Sequence, residues 1–147
     1  QPNPRTAGFA TVNLGMIAHY QGRNADAQRR YSQAETHFGH ADDALGGTLV
    51  DAFLGALEAD QGDTAAAAAR LARASAGTDP SPKETVRLLS LAPALFQGDP
   101  AAAVAVRAAA TEDAVVDTRL AADLLLTRLA ARTAPTPPSR GQPSLST

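Results

Sequence analysis

Apolar residues recur along this chain at intervals of three and four, as in Val12, Met16 and Tyr20 or Leu88, Leu91 and Leu95, and strand-like alternation is nowhere sustained. The spacing predicts helices over about 7–20, 25–38, 43–60, 65–76, 83–96, 100–110 and 112–132. The last carries Leu120, Leu124, Leu125, Leu129 and Ala131 on a broad apolar stripe. Three glycines, Gly22, Gly62 and Gly98, separate successive helices, and each is followed within two residues by helix-start chemistry: Asn24, Asp63-Thr64, and Asp99 ahead of Pro100. A glycine supplies the positive φ that ends a helix, so each triplet reads as a turn between two helices. Pro93 falls inside a predicted helix and predicts a kink, or a helix that starts near it.

The pattern repeats. LGMIAHYQGRNADAQRRYSQA (Leu14 to Ala34) and LGALEADQGDTAAAAARLARA (Leu54 to Ala74) share Leu-Gly, Gln-Gly, two alanines, an arginine and a closing alanine at equal spacing. Gln97-Gly98-Asp99 opens a third copy. A period near 40 means stacked repeats. The expected fold is all-α: an α-solenoid of about three antiparallel helix pairs, plus a C-terminal helix. Units lie at about 7–40, 41–79 and 80–111, with a final helix at 112–132. Residues 1–6 form an N-terminal extension, and the proline-rich stretch 133–147 is expected to be disordered because it cannot bury enough surface to offset its ordering.

These residues resemble a tetratricopeptide repeat. The likeness rests on the Leu-Gly pairs at 14–15 and 54–55, the turn glycines, the small residues Ala27, Ala67 and Ala103, the large residues Tyr31 and Leu71, and the closing Ala34, Ala74 and Ala110. Gly15 and Ala27 would let paired helices approach closely while Tyr31 and Leu71 fill the gap to the next unit. The third unit departs from the pattern, with Ser90-Leu91 in place of Leu-Gly and Arg107 where a large apolar residue belongs. The long period resembles the repeats in the C-terminal halves of large LuxR-type and antibiotic-regulatory-type activators of actinobacteria, which implies a cytoplasmic role in transcription regulation.

Composition narrows the chemistry. At 147 residues a single domain can bury a real core, and with 4% aromatics and no Trp that core must be mostly Ala and Leu. Twelve Arg and one Lys against fifteen acids give a net charge of −2, without the basic excess that phosphate contacts to nucleic acid require. No apolar run approaches the roughly 20 residues of a membrane span. The absence of Cys excludes disulfides and thiolate metal sites. The opening Gln1-Pro2-Asn3-Pro4, in place of Met, is read as a processed chain or a piece of a longer one. His37, His40, Asp42 and Asp43 have metal-ligand residue types, but Gly39 between the imidazoles and the lack of a partner cluster favour helix-end roles for all four. There is no nucleophile elbow and no phosphate-binding glycine motif. No catalytic residue, cofactor or metal is therefore expected.

The resemblance implies a concave groove lined by the first helix of each pair: Phe9, Asn13, Met16, His19 and Tyr20 from unit one, and Leu49, Phe53 and Ala56 from unit two. Core or inter-repeat packing is the alternative role for these residues. Met16, His19 and Tyr20 are the favoured groove residues, since Met and Tyr suit adaptable surfaces. No Lys or Arg sits on this face of units one and two, which disfavours an anionic peptide terminus as ligand. The leading expectation is a non-catalytic repeat module that binds a protein segment or its own upstream domains. The alternatives are an arm that self-associates through the unpaired last helix into a homo-oligomer, and a small-ligand sensor with its pocket near His19 and Tyr20. Removing residues 135–147 should leave the melting temperature within about a degree or two, because no apolar face is lost; a thermal melt that drops several degrees would show that the tail docks.

Overall fold

The computed structural model describes residues 3–76, 83–111, 114 and 116–133. The chain is all-α: among the described residues there are eight helices and no strand. They are α1 (Pro4–Tyr20), α2 (Asn24–His40), α3 (Ala44–Asp60), α4 (Thr64–Ser75), α5 (Lys83–Leu89), α6 (Ala92–Phe96), α7 (Pro100–Ala109) and α8 (Val116–Thr133). The breaker around Pro80, the predicted start of the last helix at 112–113 and the tail 134–147 lie outside the described residues. Thr133, assigned above to the tail, is the last residue of α8.

Four of the turns between helices share one hydrogen-bond pattern. In the α1–α2 turn the Gly22 amide donates to His19 and the Arg23 amide to Ala18; Gly62 and Asp63 repeat this with Ala59 and Glu58, and Gly98 and Asp99 with Leu95 and Ala94. The glycines take φ of 80°, 87° and 91°, the left-handed geometry this helix ending needs. The α2–α3 turn does the same without a glycine: Asp42 adopts φ 51° while its amide donates to Gly39 and the Asp43 amide to Phe38. The break itself was expected between the helices at 25–38 and 43–60, but its left-handed residue was not, since a short Asp side chain tolerates the conformation less readily than glycine but is not excluded from it.

Helix starts follow sequence chemistry with two differences. Asp43, Asp63 and Asp99 cap α3, α4 and α7 through their side chains, accepting from the amides of Gly46, Ala66 and Ala101. Asn24 does not cap α2; it is the first helical residue, because the turn uses three residues and places Arg23 at the cap. α1 begins at Pro4, three residues before the sequence expectation and inside the supposed extension, since Asn3 accepts from the Arg5 amide and Pro4 suits a first helical position. The predicted helix over 83–96 is two, broken at Ser90-Leu91 with Pro93 in the first turn of α6. Pro93 cannot donate back to Leu89, and the Leu91 amide closes a tighter turn onto Leu88.

Close approach at glycine sets the packing. A Cβ on Gly15 would stand 2.6 Å from the ring of Tyr31, and one on Gly55 would stand 2.6 Å from Leu71, so the two hairpins α1–α2 and α3–α4 use the same device 40 residues apart. Tyr31 is fully buried and stacks on Phe53 of the next hairpin, with centroids 5.7 Å apart. The Phe38 ring sits between Gly8 of α1 and Gly46 of α3, with the Phe9 ring edge-on at 5.0 Å. Ala27, Ala34, Ala67 and Ala74 pack behind these contacts with 5% exposure or less. In the third unit Val106 of α7 is buried, and the neighbouring Arg107 is exposed.

The last helix is not unpaired. α8 packs on α5 and α7 and reaches across to α1 and α6, burying Ala121, Ala122, Leu124 and Leu125. This removes the premise on which self-association through a free last helix was argued.

Adjacent glycines in α3 test the packing. Gly46→Ala should lower stability by about 1–3 kcal/mol, since the new methyl meets a Phe38 ring that has no room to move, whereas Gly47→Ala, with nothing within 4 Å, should raise it by up to about 1 kcal/mol through helix propensity. Urea denaturation of the two variants checks the sign of each; equal shifts would mean that Phe38 is not held between α1 and α3.

Candidate partner-binding cleft

α1 and α8 run alongside each other across one face of the molecule and leave between them an apolar cleft of about 750 Å³. Asn13, Met16, Ile17 and Tyr20 of α1 form one wall, and Leu120, Asp123, Leu124 and Thr127 of α8 form the other. Ile17 and Tyr20 remain 51% exposed and Leu120 45% exposed, an uncommon grouping of large apolar side chains. The cleft continues past Asn13, Met16 and Leu120 into a small enclosed pocket of about 60 Å³, whose floor is Leu49 and Phe53 of α3 and whose far side is Thr85 of α5 and Asp117 of α8.

Six of the eight residues expected on a groove therefore line this connected space: Phe9, Asn13, Met16, Tyr20, Leu49 and Phe53. Ala56 and His19 do not; both are fully buried. For His19, one of the three favoured groove residues, the reason is electrostatic. Its Nε2 donates to Asp60 Oδ2 at 2.9 Å, and the pair lies inside the molecule with side-chain exposures of 0% and 2%. An ionised carboxylate only accepts, so Nε2 carries the proton. The sequence reading missed the whole α8 wall, since nothing in a local pattern tells which earlier helix a later one will face.

Beneath the cleft, Asp60 joins three helices. Besides His19 of α1, it accepts from Arg128 Nε of α8 at 2.8 Å, and Arg132 Nη1 donates both to Oδ1 at 3.3 Å and to the Asp60 carbonyl. The Arg132 guanidinium also stands over the Phe96 ring, 5.2 Å from its centroid, and an Nη of Arg128 lies close against Gly22. Burial alone pushes the Asp60 carboxyl up, but hydrogen bonds from His19 and Arg128 and the charge on Arg128 more than offset it; the net direction is below the ordinary carboxylate range. No serine or threonine hydroxyl bonds to His19 or Asp60 among the described residues.

His37 and His40 occupy the last turn of α2, where the helix dipole favours a cation. Among the described residues no group of three or more His, Asp or Glu side chains is gathered as a metal site would require. No helix among them is long and apolar enough to cross a membrane. Comparison with known proteins gives no match to a family model, to a curated protein or to a solved structure.

The Asp60 network makes an acid-stability prediction. Because the folded-state pKa lies below the unfolded value of about 3.9, the stabilisation is fully present above that value and is lost as pH falls through the folded one. Asp60→Ala should cost about 3–5 kcal/mol at neutral pH, since it leaves Arg128 and His19 without their carboxylate. Denaturant unfolding of parent and variant between about pH 7 and pH 2 should give a difference that is constant above about pH 5 and shrinks below about pH 4; a pH-independent difference would mean that Asp60 is not ionised in the fold.

Proposed function

We propose that this chain is a non-catalytic helical-repeat module of the tetratricopeptide type that binds a segment of a protein partner in the α1/α8 cleft, as part of a larger bacterial regulatory protein of the cytoplasm. The observation that carries this reading is the cleft itself: Ile17, Tyr20 and Leu120 stay half-exposed around an apolar space of about 750 Å³ in a chain whose other large apolar residues are mostly inside. The repeat type draws support from the equivalent Gly15–Tyr31 and Gly55–Leu71 contacts and from the recurring turn geometry. A non-catalytic role draws support from the buried His19–Asp60 pair, which among the described residues bonds to no serine or threonine hydroxyl and is engaged by arginines.

The volume also lies within the range of small-molecule pockets, about 300–1,000 Å³. The apolar surface does not stop at the cleft, however. It runs along α1 to Phe9 and along α8 to Val116, both at least 38% exposed, which is more than a small molecule covers and favours an extended segment.

Selection of random displayed peptides against the folded chain tests the reading. Enriched sequences should share a spaced apolar pattern and lose binding to Ile17→Glu and to Leu120→Glu, two exposed positions where the substitution leaves the core intact. Peptides that bind both variants as well as the parent would place the interaction elsewhere.

A further inference from the structure

Resting on that reading, we infer that the occupant of the cleft is a basic amphipathic helix of a partner protein. Three observations converge. The first is length: the apolar stripe of α1 runs from Phe9 to Tyr20, about 16 Å at 1.5 Å per residue, and α8 offers Val116, Leu120 and Leu124 alongside it. Two neighbouring helices with an apolar gap between them accept the side chains of a third helix spaced at i, i+3, i+4 and i+7.

The second is charge. Among the described residues, Asp117 and Asp123 are the only carboxylates or fixed charges lining the cleft and its small pocket, one in each. Neither forms an ion pair among the described residues. From Thr6 to Tyr20 the opposite wall carries no Asp, Glu, Lys or Arg, and Arg5, which stands over the Phe9 ring at the far end, is paired with Asp43. The third is where the nearby cations have gone: Arg128 and Arg132 of α8 are turned under the helix to Asp60. An apolar floor with an uncompensated acidic wall selects a helix that carries Lys or Arg beside its apolar stripe, by faster encounter and by rejection of acidic competitors.

The test uses two synthetic helices of about 14 residues, identical in a Leu stripe at i, i+3, i+4 and i+7, one flanked by Lys and the other by Glu. Each is fluorescein-labelled and titrated with the full chain by anisotropy at low salt. The Lys peptide should bind about tenfold more tightly than its Glu twin, and the advantage should shrink as salt is added. Asp117→Asn with Asp123→Asn should erase the preference while both peptides still bind, and Ile17→Glu should remove both. Equal affinities for the twins, or an unchanged preference in the double Asn variant, would overturn the basic helix while leaving the cleft as a partner site. Failure of both peptides to bind, or binding that survives Ile17→Glu, would overturn the cleft reading as well. A dimer in sedimentation that excludes both peptides, and that Ile17→Glu dissociates, would overturn it in favour of a second copy of this chain.

Discussion

A single buried carboxylate holds the ends of three helices together. Asp60 is the last residue of α3, at the negative end of that helix's dipole, where an acid is least welcome. Nearly excluded from water, it would cost several kcal/mol if left alone. It is tolerated because α1 brings His19 and α8 brings Arg128 and Arg132 to it. The requirement works in both directions: Arg128, whose side chain is 15% exposed, is itself acceptable there because it meets a carboxylate, while Arg132 reaches the same group from the surface. The C-terminal half of α8 is therefore fixed relative to α1 by charge, while its N-terminal half is placed by apolar packing and by the Thr85–Thr118 hydroxyl contact with α5.

This division of labour explains why there is a cleft at all. Pairs such as α1–α2 are drawn together along their length by glycines that admit an aromatic ring to the backbone, as Gly15 admits Tyr31 and Gly8 and Gly46 admit Phe38. The α1/α8 meeting has no such device. The positions of α1 that face α8 carry Met16, Ile17 and Tyr20, large side chains that hold the backbones apart, and the principal inward anchor is polar and lies at one end. The space between fills only partly, which leaves large apolar groups half in water.

The local devices were legible in the sequence, and the long-range ones were not. Gly22, Gly62 and Gly98 announce their turns because the left-handed conformation selects glycine, and Asp63 and Asp99 announce the helices that follow because capping is chemistry within three residues. Pro93 marked the break before α6 because a missing amide is a local fact. Asp42 was read as a helix-end acid, and its left-handed conformation went unseen because an Asp in that conformation looks like any first-turn acid. Six of the residues named on α1 and α3 line the space beside α8, but His19 could not be told from its neighbours: its fate depends on Asp60, 41 residues on, and Asp60 in turn depends on Arg128, 68 residues further. No periodicity links those three positions. The α8 wall was lost for the same reason.

The chemistry of the cleft surface follows from that burial. α8 carries Asp117, Arg119, Asp123, Arg128 and Arg132, a mixture that on an isolated helix would present no dominant sign. Folding sorts it. Arg128 and Arg132 turn toward Asp60, Arg119 lines neither the cleft nor the pocket that continues it, and Arg5 at the Phe9 end pairs with Asp43, so among the described residues the charges lining the apolar gap are Asp117 and Asp123. Which charges this face shows is thus decided by which side chains Asp60 engages. A weakly acidic chain acquires a locally acidic, apolar-floored surface without any acidic run in its sequence, and it does so because a buried aspartate claims the arginines nearby.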